Sequence, residues 1–337
     1  MKAVVFGSAG EFSVDDAPRP EAGEGEVLIE VAACGICGTD LHILHGEYPA
    51  DFPLIPGHEL AGTVAAVGPG VDDLRTGDRV CVDPNIVCGR CGYCRAGKVH
   101  LCEKLDPIGV KRDGGFAEYC AAPRSQVYRV GEQVALSHAA MVEPLACTLR
   151  GIEQAGIRPG QTVMILGGGA IGAILAQLAR LAGAAAVVVS EPIERRRELL
   201  LKLGADRAVD PSSQDPAQEI RKVDPQGADV VIEAAGLAVT ARQAMTAAKR
   251  GATIVFFGVA PPDQRISVSP FEVYVNEWTI RGSFINPNTT QAAVDLLNAG
   301  RLELGPLISH TFALDEFGEA IETFGRPESY KIQIVPG

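Results

Sequence analysis

Two textures of hydrophobic and polar positions divide the 337-residue chain. Up to about residue 150 the apolar runs are short and broken by Gly, Pro and Asp, as at 27–31, 62–67 and 79–82. That pattern predicts a β-rich, irregular barrel or sandwich. From about residue 151, apolar strands lead through turns into longer helices: 162–166 into 170–182, 186–190 into 194–203, and 229–233 into 240–248. A further strand is expected at 252–258. Such alternation predicts a parallel sheet covered by helices on both faces. Beyond about residue 282 the texture changes again, with helices at 290–299 and 314–323 and a short strand at 331–335. That strand is too isolated to stand alone, so the C-terminal stretch is expected to return and complete the first domain. The chain therefore reads as α/β, with residues 1–150 and 285–337 forming a β-rich domain and 151–284 a doubly wound parallel-sheet domain.

Composition narrows the class. Hydrophobic residues make up 47% and charged residues 21%, the balance of a globular chain rather than a disordered one. The net charge of −12 has the wrong sign for a general nucleic-acid or anionic-membrane binder, so neither partner is expected. The longest apolar stretch, 162–186, is broken by glycines, Gln177 and Arg180 and joins a strand-like to a helix-like half, against a membrane span. The apolar run at 1–6 lacks the regions of a signal peptide, so cytoplasm is the expected compartment. There the nine cysteines stay reduced and read as metal ligands before disulfides.

The strand signal Val163-Met164-Ile165-Leu166 runs into Gly167-Gly168-Gly169-Ala170-Ile171-Gly172, a G-x-G-x-x-G turn opening a helix. Gly167 permits the tight turn, Gly169 lets a pyrophosphate approach the backbone, and Gly172 lets helix and strand pack closely. Ala170 and Ile171 start the helix, whose free N–H groups and partial positive charge face the phosphates. The context is the required one: strand before, helix after, a second strand next and an acid, Glu191, at its end. Glu191 is placed to accept from the adenosine ribose hydroxyls and to repel a 2′-phosphate, which favours NAD over NADP. Arg195, Arg196 and Arg197 follow, and an arginine swung toward a 2′-phosphate argues the other way; the plain reading is a solvated helix face.

Two cysteine patterns carry metal chemistry. Cys88, Cys91, Cys94 and Cys102 form C-x2-C-x2-C-x7-C on a glycine-bearing loop, the spacing of a closed four-thiolate zinc site with a structural role. A ferredoxin-type cluster is disfavoured by the fourth spacing and by the lack of a proline after Cys102. The second set is dispersed: Cys37, His58 and Glu143 are able to offer sulfur, nitrogen and oxygen to a catalytic zinc that keeps one position open. Each of these alone is ordinary.

The segment Gly57-His58-Glu59-Leu60-Ala61-Gly62, with Gly68 and Val71, fits the G-H-E-x2-G-x5-G-x2-V signature of zinc-containing medium-chain alcohol dehydrogenases. The Cys37 segment, the four-cysteine loop and the glycine turn occur in that family's order, so the chain resembles the family over essentially its whole length. The resemblance implies a GroES-like catalytic domain split around a Rossmann domain. It also implies two zincs per chain and a homodimer or homotetramer assembled through the nucleotide domain, with 258–282 offering an edge strand. By the same resemblance Cys37 and His58 are catalytic zinc ligands, and Asp40 is the carboxylate behind the histidine. Glu59 is the carboxylate beside the metal, able to enter its coordination sphere. Glu143, in Glu143-Pro144-Leu145, matches the branch containing sorbitol and threonine dehydrogenases and either binds zinc or holds its water; Cys147 is the runner-up.

The implied reaction is oxidation of an alcohol to a ketone by hydride transfer to the nicotinamide, with zinc acidifying the alcohol. Thr39 matches the family's hydroxyl relay and His42 the histidine that passes the proton on through the nicotinamide ribose; both residue types suit a relay. The segment from Phe271-Glu272-Val273-Tyr274 through 279–286 resembles the one near the nicotinamide in the polyol-oxidising branch, which puts Phe284 beside the cofactor. Ile285 stands where sorbitol dehydrogenases carry arginine, so a shorter polyol or vicinal diol is as plausible a substrate as sorbitol. Tyr48, Phe116 and Trp278 are candidate pocket walls or plain core. The competing expectations are a threonine or amino-alcohol dehydrogenase, a catalytically silent NAD(P)-binding member, and a zinc-free quinone reductase, which has no need of the cysteine-rich loop.

Overall fold

The computed structural model describes all residues, 1–337, which fall into two compact units: Met1–Ala146 with Pro287–Gly337, and Cys147–Asn286. The change of texture along the sequence puts the boundaries near 150/151 and 284/285. No linker marks the first boundary, because one helix, Val142–Ala155, runs straight through it.

The first unit is built on a seven-stranded sheet. Its main path runs Ile308–Phe312, Lys331–Ile334, Glu26–Gly35, Glu59–Val67, Arg79–Val82, Val127–Arg129, and Tyr119–Pro123 also pairs with Glu26–Gly35. Strand Glu26–Gly35 alternates poorly because both faces are covered: Val27, Ile29, Val31 and Ala33 are as buried as Leu28 and Cys34. Two register shifts in its pairing with Glu59–Val67 bend the sheet. Phe6, Phe116 and Phe317 fill the core, with ring centroids 6.0 Å apart for Phe6–Phe317 and 5.3 Å for Phe116–Phe317. Phe116 is thus core rather than pocket wall. The apolar run at the N-terminus is a strand, Lys2–Ser8, paired antiparallel with Glu11–Asp16. The expected helix 314–323 is a 3-10 turn, Leu314–Glu316, followed by the α-helix Phe317–Thr323.

The second unit is a six-stranded, all-parallel sheet in the order Arg207–Val209, Ala186–Ser190, Thr162–Leu166, Ala228–Glu233, Ala248–Phe256, Thr279–Gly282. This is the doubly wound order in which the chain reverses beside its first strand, where dinucleotides bind at the carboxyl ends. Thr162–Leu166 is buried at every position, as a central strand covered on both faces requires. Trp278 packs partly buried against the core here, its Nε1 donating to Lys249 O at 2.8 Å. No helix of the protein is long and apolar enough to cross a membrane.

Candidate functional site

The first site is made by a strand end and a short helix. Cys37 precedes the helix Gly38–Leu44, and Asp40 in its first turn accepts from Cys37 N at 2.8 Å through Oδ2. A carboxylate is favoured there by the helix dipole. The other oxygen, Oδ1, faces His58 Nδ1 at 3.4 Å, and both atoms are buried without a hydrogen bond. His58 enters its strand through Gly57, whose φ of +97° suits glycine and whose Cβ would lie 2.8 Å from both Cys34 Sγ and Phe116 Cδ1. Burial pulls the His58 imidazole down, but the Asp40 carboxylate and Cys37 outweigh it, so its pKa stands well above the ordinary histidine value.

Cys37, His58 and Glu59 offer ligand atoms that all lie within 4.8 Å of one another. Sulfur, nitrogen and oxygen converging in a half-buried to buried setting fit zinc. With Nδ1 turned to Asp40, Nε2 is the ring nitrogen left for the metal, the usual carboxylate–histidine arrangement. Glu143 stands outside this triad, buried in the first turn of Val142–Ala155. Its charge helps hold the pKa of Lys331 up. Cys147, the runner-up ligand, is half-buried one turn further along the same helix and also outside the triad. Thr39 Oγ1 lies 3.8 Å from Cys37 Sγ, and His42 Nδ1 lies 2.6 Å from Glu47 Oε2.

Lys331, which sequence reasoning missed, completes the centre. Its Nζ donates to Glu59 Oε1 and Oε2 at 2.7 Å each and to Ile36 O at 3.1 Å, with the side chain 8% exposed. Burial lowers the Lys331 pKa, but Glu59, then Cys37 and Glu143, more than offset it and hold the ammonium above its ordinary value. A buried ammonium is tolerable here because the Glu59 carboxylate pairs with it directly and Ile36 O accepts a further hydrogen bond.

The second site closes on itself. Strands Asn85–Ile86 and Asp106–Pro107 pair at the neck of a loop carrying Cys88, Cys91, Cys94 and Cys102, whose ligand atoms lie within 4.8 Å of one another. Cys88 Sγ and Cys94 Sγ are 4.0 Å apart, close to the ~3.8 Å that a tetrahedron of ~2.3 Å Zn–S bonds spans. Backbone N–H groups point at the sulfurs: Cys91 N at Cys88 Sγ (3.4 Å), and Cys88 N and Lys104 N at Cys102 Sγ (3.3 Å each). Backbone donors, Arg90 first and then Cys91, pull the Cys88 thiol down to about 6, while burial pushes Cys94 up to about 12. Crowded thiols that resist full ionisation on their own fit a dication that would neutralise them. Cys34, Cys81 and Cys120 are core residues whose thiols burial pushes up.

The third site is the glycine turn of the second unit. Gly167 has φ +110°, and a Cβ on Gly172 would come 1.9 Å from Gly167 O, whereas one on Gly169 would meet nothing within 4 Å. Gly167 and Gly172 are therefore required by the fold itself, and Gly169 is open where a phosphate would sit. Ala170 is buried and Ile171 half-buried at the start of the helix Ala170–Leu181. Glu191, 3% exposed, accepts from Gly168 N at 3.0 Å (Oε2) and Ile193 N at 2.9 Å (Oε1), so it braces the turn. Arg197 donates to Glu191 O and Pro192 O at 2.9 and 2.6 Å. Arg196 is half-buried and Arg195 exposed on the same helix, Glu194–Lys202. Phe284, 48% exposed, follows the edge strand Thr279–Gly282 at the sheet's carboxyl edge, where the glycine turn also lies. Ile285 beside it has φ +42°, rare for a β-branched residue.

A four-cysteine loop, a cysteine–histidine–glutamate cluster able to hold a metal and a glycine-rich turn on a doubly wound sheet are the parts of a metal-dependent dehydrogenase. Residues 23–132 match the family model described as alcohol dehydrogenase GroES-like domain, and residues 170–299 match that described as zinc-binding dehydrogenase. Among curated relatives, D-altritol 5-dehydrogenase of Agrobacterium fabrum is 37% identical over 94% of each chain. D-arabinitol dehydrogenase 1 of Uromyces fabae is 33% identical over 100% of this chain and 97% of its own. L-threonine 3-dehydrogenase of Pyrococcus abyssi is 35% identical over 94% of this chain and 92% of its own. A crystal structure of a zinc-binding dehydrogenase from Sinorhizobium meliloti, bound to NADP, superposes with TM-score 0.97 at 44% identity over 99% of both chains. The chain belongs to the zinc-containing medium-chain alcohol dehydrogenase family and is an oxidoreductase.

Proposed function

We propose that this enzyme oxidises a polyol or secondary alcohol to the corresponding ketone with NAD⁺ as hydride acceptor. The observation that carries the reading is the Cys37–His58–Glu59 triad with Asp40 behind its histidine. Bound zinc supplies Lewis acidity toward an alcohol oxygen, and NAD⁺ supplies the hydride acceptor. Cys37 and His58 would hold the metal, Asp40 would fix the histidine tautomer, and Glu59 and Glu143 would serve as the carboxylates that exchange with substrate or water. Thr39, next to Cys37, takes the alcohol proton and His42 passes it to solvent. The four-cysteine loop holds a second, structural zinc, making two per chain.

For the cofactor, Gly167, Gly169, Ala170, Ile171 and Gly172 take the pyrophosphate, Glu191 the adenosine ribose, and Phe284 lies beside the nicotinamide. Buried Glu191 supports NAD, while the NADP held by the Sinorhizobium protein supports NADP, with Arg196 as the residue facing a 2′-phosphate. The sugar-alcohol names of two relatives support a polyol, and the L-threonine 3-dehydrogenase of Pyrococcus abyssi supports the threonine reading, so the two are separated by assay. The exposed edge strand Thr279–Gly282 and the exposed Phe271 and Tyr274 on the preceding helix support a homodimer or homotetramer.

The deciding experiment assays pentitols, hexitols, vicinal diols and threonine with NAD⁺ and NADP⁺ separately. The expected result is fastest ketone formation from a polyol or diol with NAD⁺. Preferred oxidation of threonine contradicts the substrate class, and preferred use of NADP⁺ contradicts the role given to Glu191.

A further inference from the structure

The helix Gly38–Leu44 ends in a turn that folds the chain back onto His42. Gly46, at φ +72°, takes the left-handed position just past the helix cap, and its N–H donates to Ile43 O at 3.0 Å. The next residue, Glu47, donates its N–H to His42 O at 2.8 Å. These paired bonds form a Schellman motif, which needs glycine or asparagine at the left-handed residue. A Cβ on Gly46 would also lie 2.9 Å from Ala9 Cβ. The backbone thus sets Glu47 beside His42 before any side-chain contact forms, and Glu47 Oε2 reaches His42 Nδ1 at 2.6 Å. An ionised carboxylate only accepts, so Nδ1 must carry the proton of that bond.

We infer that Glu47 is a positioning residue that locks neutral His42 in its Nδ1–H tautomer, leaving Nε2 as the bare acceptor that receives the proton leaving the alcohol. The inference rests on the relay role proposed above for His42. An exposed ion pair contributes little stability on its own, and these side chains are 40% and 58% exposed. What the pair supplies is direction. The free imidazole divides its proton between two nitrogens, and only one of them is able to accept along a given line. The proton passes from the relay oxygen to Nε2, making an imidazolium that Glu47 stabilises at Nδ1. It is then lost from Nε2 to solvent, so the cycle closes without any further reactant.

The test compares holoenzyme with the variants Glu47→Ala and Glu47→Gln by ¹⁵N NMR of the neutral His42 ring, assigned against His42→Asn, and by turnover. Glutamine keeps an acceptor oxygen and alanine does not. The expected result is an Nδ1–H tautomer in wild type and Glu47→Gln and a mixture in Glu47→Ala. With it, kcat falls roughly tenfold in Glu47→Ala, a fraction of the ~10²–10⁴ that a positioned acid–base group supplies, while KM and metal content hold steady. An unchanged tautomer in Glu47→Ala overturns the inference. A changed tautomer with unchanged kcat upholds Glu47's hold on the ring and instead overturns the relay reading of His42.

Discussion

Lys331 Nζ sits 2.7 Å from each carboxylate oxygen of Glu59, so a residue six positions from the C-terminus pins the acid next to His58. Breaking a buried pair from one side strands a charge and costs about 3–5 kcal/mol. Lys331→Met is expected to lower stability on that scale, and Lys331→Met with Glu59→Gln to recover most of it. Thermal and urea unfolding of the single and double variants check this; an additive double variant contradicts the coupling.

The glycine turn separates folding from binding. Gly172→Ala drives a Cβ into Gly167 O and is expected to cost about 3 kcal/mol or more. Gly169→Ala meets open space and is expected to keep stability within about 0.5 kcal/mol. It should nevertheless weaken NADH binding at least tenfold, because the methyl stands where the pyrophosphate approaches. Calorimetric melting and fluorescence titration with NADH read the two effects independently.

How far such features could be read from the chain depended on how local they were. The glycine turn and the four-cysteine loop are contiguous, so spacing and neighbouring periodicity contain nearly all the information. Strands Thr162–Leu166 and Ala186–Ser190 were legible for the same reason: buried on both faces, they are apolar at almost every position. Lys331 was illegible because Lys331-Ile332-Gln333-Ile334 alternates like a strand with one wet face, although all four residues are buried. Only the pairing of that strand with Glu26–Gly35 brings the lysine to Glu59. The helix Val142–Ala155 has no prediction of its own from the sequence; its Pro144 lies in the first turn, where proline is well tolerated.

Metal content tests the closed loop. Native protein is expected to carry about two zincs per chain and Cys91→Ser about one. Without its metal, the loop between Asn85–Ile86 and Asp106–Pro107 should become a site of proteolytic cleavage, mapped by mass spectrometry. Equal zinc in both proteins contradicts the four-thiolate assignment.

Stability should depend on pH through Lys249, which bridges Asp224 Oδ2 and Asp229 Oδ1 at 2.9 Å each. The Lys249 hydrogen bond holds the Asp224 carboxyl below its ordinary 3.8. Unfolding therefore takes up a proton in acid, so this contribution is present above pH ~4 and lost as pH falls through the folded value. Burial lowers the Lys249 pKa, but the two aspartates outweigh it and raise it above 10.5, so its contribution is full below that pH and lost as pH rises through the folded value. Lys249→Met should cost about 1 kcal/mol at neutral pH, the scale of a partly exposed pair. It should also flatten the acid limb of the melting-temperature profile; an unchanged acid limb contradicts the assignment.

If Cys37 holds the metal at which the alcohol is oxidised, its replacement should remove that metal and leave NADH binding intact. Zinc content, NADH binding and polyol oxidation measured together on Cys37→Ser test it most directly. The expected result is about one zinc fewer per chain, NADH affinity within about twofold of wild type, and turnover reduced by at least ~10³. Full zinc content with turnover near wild type would contradict it.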